Sequence, residues 1–417
     1  MSDCCSQPGL ISIEQARATL LDDISPLSDS ESIPLAQAAG RVLAQAVASS
    51  VCLPPCDNSA MDGYALRYAD LDCADLEKGA PLEQIGKSFA GSPFDGEVWP
   101  GTCVRIMTGA AMPAGADTVV MQEQVTANGA SIVIHGEVRR GDHVRRRGED
   151  IREGDTLLQA GSRISVARIA LLAAAGIGRV EVQRRPVVAL FSTGDELRQP
   201  GDVLGRGEIY DSNRIALLAA LAKLEVEVLD LGILPDNREI IRENLARAAR
   251  EADAIITSGG VSVGEADYTR EVLEEMGEIG FWKVAMKPGK PFAYGRLRGT
   301  PFFGLPGNPV SALVTFQQLV VPALTVMQGG AWSAPVPLQA RLLQPLRKSP
   351  GRTDFQRGIY RSDEHGTLCV EPVGAQGSHI LSGLADANCL IVLARDSGSV
   401  KAGEVVAIEP LARPLGL

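Results

Sequence analysis

The stretch ITSGGVSVGEADY, residues 256–268, places Gly259, Gly260, Ser262 and Gly264 ahead of Glu265 and Asp267. Glycines admit positive φ and close backbone approach, so such a loop offers N–H donors to an oxyanion. The carboxylates that follow repel an anion unless a divalent cation lies between, and magnesium is held in this way by one or two carboxylates plus substrate phosphates. Two further segments carry comparable chemistry: FSTGDEL (191–197) offers Ser192, Thr193, Gly194, Asp195 and Glu196, and LGILPDN (231–237) offers Asp236. Gly-Gly-x-Ser-x-Gly alone matches neither the phosphate-loop lysine motif nor the dinucleotide fingerprint. Each piece also has a purely structural reading. Asp236 with Glu239 reads as a capping box, Asp267 as the N-cap of the next helix, and single glycines as turn residues.

Positive charge comes from FWKVAMKPGKPF (281–292), where Lys283, Lys287 and Lys290 surround a path stiffened by Pro288, Gly289 and Pro291, a loop able to clamp an oxyanion. GRTDFQRG (351–358) and GAQGSHI (374–380) add Arg352, Arg357 and Ser378. The run VRRRGEDIR (144–152) reads as a solvated turn. In GLPGNPVSA (304–312) Asn308 is the expected N-cap and Pro309 the first helical residue. CDNSAMDGYAL (56–66) sets Asp57 and Asp62 among small residues, a turn by default; it opens a different domain, and an interface is the route by which it would reach a site.

The elements that must position these residues follow from periodicity. Ile13, Ala16, Leu20 and Ile24 share one helical face, and residues 35–47 read as a second helix. Short β-rich runs separated by turn residues fill 52–165. Between 186 and 328 apolar strands alternate with amphipathic helices at 213–224, 237–250 and 267–276, ending in a long helix from 309. That order predicts a doubly wound parallel sheet with ligand loops at its carboxyl edge. Residues 329–337 read as a linker to a small β domain. The expectation is an α/β plus β chain in four parts: a discontinuous helical/β linker domain (1–51 plus 140–180), a β-rich domain (52–139), a central α/β domain (181–328) and a C-terminal β-barrel-like domain (329–417).

Composition narrows the function. With 417 residues, net charge −11 and pI near 5.1, the chain is not built to coat nucleic acid or an acidic membrane. The eight cysteines form no C-x-x-C pair, and none of the four histidines pairs at metal-ligand spacing. Reduced, scattered thiols fit a cytoplasmic protein, and the apolar run 310–327 carries glutamines, so no membrane span is expected.

Taken in order, DNSAMDGYA, RIMTGA, FSTGDEL, SGGVSVGEADY, KPGKPF and GLPGNPVSA closely resemble the molybdopterin molybdenumtransferases, the MoeA family related to the insertase domain of gephyrin. The resemblance spans essentially the whole chain. It implies an elongated multi-domain subunit that forms homodimers, and a reaction in which molybdate is placed on the dithiolene of adenylylated molybdopterin with Mg²⁺-dependent release of AMP. It also implies a separate molybdopterin adenylyltransferase to supply that substrate. By the same resemblance Lys287, Lys290, Ser311, Arg357 and Ser378 match positions around molybdate, and Glu196, Asp236 and Asp267 match acidic positions near nucleotide and Mg²⁺, with Ser262 in the same loop. Asp62 and Thr108 match positions contributed by the partner subunit, Asp150 and Lys283 further active-site positions, and Thr193, Gly194, Gly259, Gly260, Gly264, Pro306 and Asn308 the substrate-binding loops. Two other readings share the fold: a molybdopterin or molybdate carrier without turnover, and a nucleotide phosphohydrolase.

Overall fold

A computed structural model describes residues 10–71, 80–260 and 268–411. Its centre is a seven-stranded sheet in the order Leu10–Ile11, Gly277–Val284, Pro291–Leu297, Thr300–Leu305, Ala254–Ser258, Val187–Thr193, Glu227–Leu234. The last four strands run parallel. The sheet is nevertheless mixed, because Pro291–Leu297 lies antiparallel to both of its neighbours. The four parallel strands, covered on both faces, form the expected doubly wound arrangement; the antiparallel pair is added by a hairpin closed by the 285–290 loop, which joins two adjacent strands directly with no crossover helix to force them parallel.

Successive residues of each strand enter different cores. Val188, Leu190, Ala254, Ile256, Phe303 and Leu305 pack in one, with helices α1 (Ile13–Asp23), α3 (Ser212–Lys223), α6 (Pro309–Thr315) and α7 (Val321–Met327). Ala189, Phe191, Ile255 and Phe302 pack in the other, with α4 (Arg238–Glu251) and α5 (Tyr268–Met276). Strands covered on both faces need apolar residues at every position, which is why the sequence runs are continuous. Helix α1 begins at a capping box formed by Ser12 and Gln15 and buries Ile13, Ala16 and Leu20 against the central sheet.

Residues 35–47 do not form the expected helix. Only Leu35–Gln37 turns, as a short 3-10 segment; Gly40 then takes φ 77°, and Val42 and Leu43 bridge to Arg163 and Val182. Their burial with Ile33, Leu158, Leu172 and Val182 outweighs local helix propensity. This core draws on both 30–48 and 156–182, with α2 (Val166–Ala174) capped by Ser165. A separate six-stranded sheet spans Gly63–Leu66 to Ser131–Ile134.

At the C-terminal end five strands close into a barrel, since Thr353–Ser362 pairs with both Leu368–Pro372 and Cys389–Leu393. The two-residue strand Met286–Lys287 joins it, register Lys287 to Asp354, and so welds the lysine loop to the barrel. The run Pro309–Met327 is long and apolar enough to cross a membrane, but most of it is buried in this fold. Its middle, Phe316–Val320, winds as a π turn. There the Gln318 carbonyl accepts from Arg17 Nε at 3.2 Å and its amide oxygen from Arg17 Nη2 at 2.9 Å, while its Nε2 donates to Glu409 at 2.7 Å. One glutamine thus ties α1, the core helix and the barrel together.

Candidate active site

The carboxyl ends of three parallel strands open onto a cavity of about 270 Å³ lined by Ser192, Thr193, Glu196, Asp211, Asn213, Ser258, Gly259, Gly307 and Pro309, among others. Thr193, Glu196 and Gly259 of the sequence-predicted set therefore meet here. Gly259 and Gly260 adopt φ 91° and 65°, and a side chain at Gly260 would press on Thr193 Oγ1 and Thr269, so glycine is required for the two loops to lie together. The Gly259 N–H donates to the Leu305 carbonyl at 3.2 Å, which removes it from the expected nest of anion donors.

A wider recess beside it is lined by Gly194, Asp195, Asp202 and Pro235. The Asp236 N–H donates to Asp195 Oδ1 at 3.1 Å. Burial raises the Asp236 carboxyl above its usual range, and the neighbouring charges of Asp195 and Glu196 push it further in the same direction. Mutual repulsion of this kind marks a place short of positive charge. Asp236 does not cap α4; Asn237 does, its side chain accepting from Ile240 N at 3.1 Å. Among the described residues no group of three His, Cys, Asp or Glu side chains is arranged to hold a metal. Ser262, Gly264 and Asp267 lie outside the described residues.

The cavity floor is a network that the residue order alone does not announce. Asp211 caps α3 by accepting from Arg214 N at 3.1 Å, accepts from Ser192 Oγ at 3.1 Å, and holds Arg214 Nε at 3.0 Å. Arg214 also reaches Asp230 at 2.6 Å and Gln199 at 2.7 Å, with both Arg214 and Asp211 buried. Asn213 Nδ2 donates to Ser258 Oγ at 2.8 Å and to the Gly307 carbonyl at 2.7 Å, tying three loops. The available signal is Asp-Ser-Asn opening a helix at the same sheet edge, but periodicity there points only to the helix itself.

Helix α6 meets this cavity at Pro309 and the basic loop at Thr315. Asn308 sits at its N-cap position and Pro309 at its start, as expected, although the Asn308 side chain makes no capping bond. Pro306 and Ser311 are buried, Asn308 is exposed, and Val310 N donates to the Ser378 carbonyl at 3.1 Å. The lysine loop lies against the same helix at Gly289, whose φ is 104° and whose missing side chain would overlap Thr315 Oγ1. Lys287 Nζ approaches Asp354 Oδ2 at 3.2 Å; Lys290 accepts Val284 N on its carbonyl at 2.8 Å, and Lys283 is exposed at a strand end. Arg357 differs from expectation. It is 1% exposed, its Nη groups donate to the carbonyls of Ala375, Gln376 and Gly377, and only buried Nε is left without a partner.

Three predicted residues stand apart from the cavity lining. Asp62 Oδ1 accepts from Thr108 N at 2.7 Å and Oγ1 at 2.8 Å, because the strands they flank pair Gly63 with Ile106. These bonds, the backbone one first, hold the Asp62 carboxyl below its usual range. Asp150 is exposed nearby, its N–H on the Leu53 carbonyl. The arginine run is paired rather than merely solvated, since Asp57 accepts from Arg147 N and Arg146 Nη1, each at 2.7 Å.

Comparison with known proteins identifies the family. Residues 11–176 match the model of the MoeA N-terminal region (domain I and II), 189–326 that of a probable molybdopterin binding domain, and 339–411 that of the MoeA C-terminal region (domain IV). The molybdopterin molybdenumtransferase of Haemophilus influenzae is 46% identical over 410 residues, covering 98% of this chain and 100% of the relative. That of a Nostoc species is 36% identical, covering 93% and 90%. The crystal structure of the molybdopterin biosynthesis MoeA protein from Pyrococcus horikoshii OT3 superposes with a TM-score of 0.84 at 31% identity, covering 96% of this chain and 100% of that one. With the cavity at the sheet edge, the lysine loop welded to a C-terminal barrel and full-length relatives at this identity, the chain belongs to the MoeA family of molybdopterin molybdenumtransferases, enzymes of molybdenum cofactor biosynthesis.

Proposed function

We propose that the chain transfers molybdenum from molybdate to adenylylated molybdopterin and releases AMP. The observation that carries this reading is that one helix, α6, meets a polar cavity lined by the carboxylates Glu196 and Asp211 at its start and the lysine loop at Thr315. A dinucleotide-like substrate has its phosphates and its metal-accepting end apart, and the two sides suit those two ends.

The phosphoanhydride belongs at the strand-end loops. Thr193, Ser258 and Asn213 line the cavity and orient the substrate there, with Gly194, Gly259 and Gly260 allowing close backbone approach. Glu196 and Asp236, with Asp267, would hold Mg²⁺. Their hard oxygen donors and the raised Asp236 carboxyl fit a cation of that kind. When bound, Mg²⁺ supplies neutralisation of the phosphoanhydride charge. The chain's own part is electrostatic positioning, with no protein nucleophile. The dithiolene end, with molybdate as the second substrate, belongs beside Lys287, Lys290, Ser311 and Ser378. Asp62 and Thr108 act from a second subunit of a homodimer.

The test is to incubate the protein with adenylylated molybdopterin, with and without molybdate and Mg²⁺, and to follow AMP and active cofactor. AMP release that needs molybdate and yields cofactor is expected. Release without molybdate and without cofactor identifies a phosphohydrolase; no release under any condition identifies a carrier.

A further inference from the structure

The guanidinium that GRTDFQRG offers at position 357 is committed to three carbonyls and buried. The other arginine of that stretch is not. Among the described residues Arg352 has no hydrogen bond or ion pair, and it is half-buried along a cleft of about 80 Å³ lined by Lys287, Ser349, Pro350, Arg352 and Asp354. About 10–15 Å³ suffices for one water, so the cleft has room for a small tetrahedral anion. Its walls are held by two backbone pairings: Met286–Lys287 runs beside Thr353–Asp354, and Thr353 N donates to the Ala285 carbonyl at 2.8 Å.

The charges around the cleft do not cancel. Lys287, Lys348 and Arg352 face two carboxylates, Asp354 and Asp396. Asp354 is buried and already accepts from Lys287 at 3.2 Å and Gln356 Nε2 at 3.0 Å. Lys348 is saturated by the carbonyls of Ser349, Arg395 and Ser397 and contributes only its field; burial and the nearby cations hold its ammonium below the usual lysine range. That leaves the Arg352 fork, and the exposed half of Lys287 beside its one partner Asp354, facing one small space. Two cations so placed gain from a shared dianion.

We propose that this cleft is an oxyanion subsite in which Arg352 and Lys287 are the two cationic ligands of a tetrahedral anion. The assignment deepens the reading of the lysine loop as the oxyanion side of the active site and rests on it. The ligand class is a tetrahedral oxyanion, either free molybdate or a phosphate of the nucleotide-bearing substrate.

Equilibrium dialysis of the full-length protein tests it, with molybdate (molybdenum read by mass spectrometry) and ADP as separate probes, on wild type, Arg352→Gln and Arg352→Lys. Arg352→Gln should bind one of the two anions about tenfold or more weakly, the loss of a charge-assisted contact, with Arg352→Lys between. The melting temperature should be unchanged, since the side chain holds no internal bond. Weakening of molybdate alone assigns the subsite to the free oxyanion, and weakening of ADP alone to a substrate phosphate. Equal affinity of wild type and Arg352→Gln for both probes, or no binding of either by wild type, overturns the proposal. Molybdate-dependent AMP release with an unaltered KM for molybdate in Arg352→Gln overturns the molybdate arm while the transferase reading stands. Weakened binding by Arg352→Gln, alongside a wild type that releases no AMP, upholds the subsite and overturns the transferase reading.

Discussion

Asp211 does three jobs with two oxygens: it caps α3, orients Ser192 at the cavity wall, and neutralises Arg214. Both ions are almost fully buried, and removing Asp211 leaves Arg214 with the half-exposed Asp230 as its carboxylate partner and strips α3 of its cap. Asp211→Ala should lower stability by about 3–5 kcal/mol in denaturant titration; a change under about 1 kcal/mol would show that the network is not closed in solution. Asp57 acts at the surface and through pH. The Arg147 N–H, against the opposing effect of burial and with help from Arg146, keeps its carboxyl below the usual range. A depressed folded value means that the stabilisation is present above about pH 4 and is lost as pH falls through the folded pKa. The denaturation midpoint of Asp57→Asn, followed from neutral pH into acid, should therefore fall less steeply than that of wild type. The thiols divide by burial: it pushes Cys103 and Cys389 up to about 12, whereas Cys56 is exposed. Alkylation of native protein at about pH 8 should mark Cys56 and spare the other two until denaturant is added.

At the scale of elements, the site depends on two backbone approaches. Gly289 lets the lysine loop press on α6, and the Met286–Lys287 strand fastens that loop to the barrel. Gly289→Ala meets both an unfavourable φ of 104° and the Thr315 hydroxyl, and should cost about 1–3 kcal/mol. Adding Thr315→Ala removes the overlapping atom and should recover part of that loss, the remainder being backbone strain; no recovery would show that sterics are not involved. Such approaches explain what the residue order disclosed and what it hid. The alternation of strands and helices from 186 to 328 was legible because two covered sheet faces demand continuous apolar runs. Of the caps expected from the residue order, Asn308 lies at the start of α6, whereas Asp236 gives way to Asn237 at the start of α4. The antiparallel hairpin at 277–297 was hidden because its loop reads as chemistry rather than as a turn, and residues 35–47 mislead because helical spacing there is overridden by pairing with distant strands. Thr193, Glu196 and Gly259 were legible at the cavity as strand-end loop residues; Asn213 and Ser258 were not, because their roles come from loops distant in sequence meeting in space.

For the whole molecule, the predicted residues fall into two sets. One lies at the strand-end loops, α6 and the lysine loop; the other, Asp62 and Thr108 at the β-rich sheet and Asp150 bonded to Leu53, lines neither cavity. A homodimer in which the second set completes a partner's site predicts that mixing Asp62→Ala and Glu196→Gln subunits restores part of the activity lost by each. No recovery after subunit exchange, shown by mass spectrometry, would place Asp62 outside the site. The proposed reaction handles molybdate and the phosphoanhydride together around one helix. Its most direct measurement is the rate of AMP release from adenylylated molybdopterin in the presence of Mg²⁺ as molybdate is varied: saturable release that falls to background without molybdate is predicted, and release independent of molybdate would contradict it.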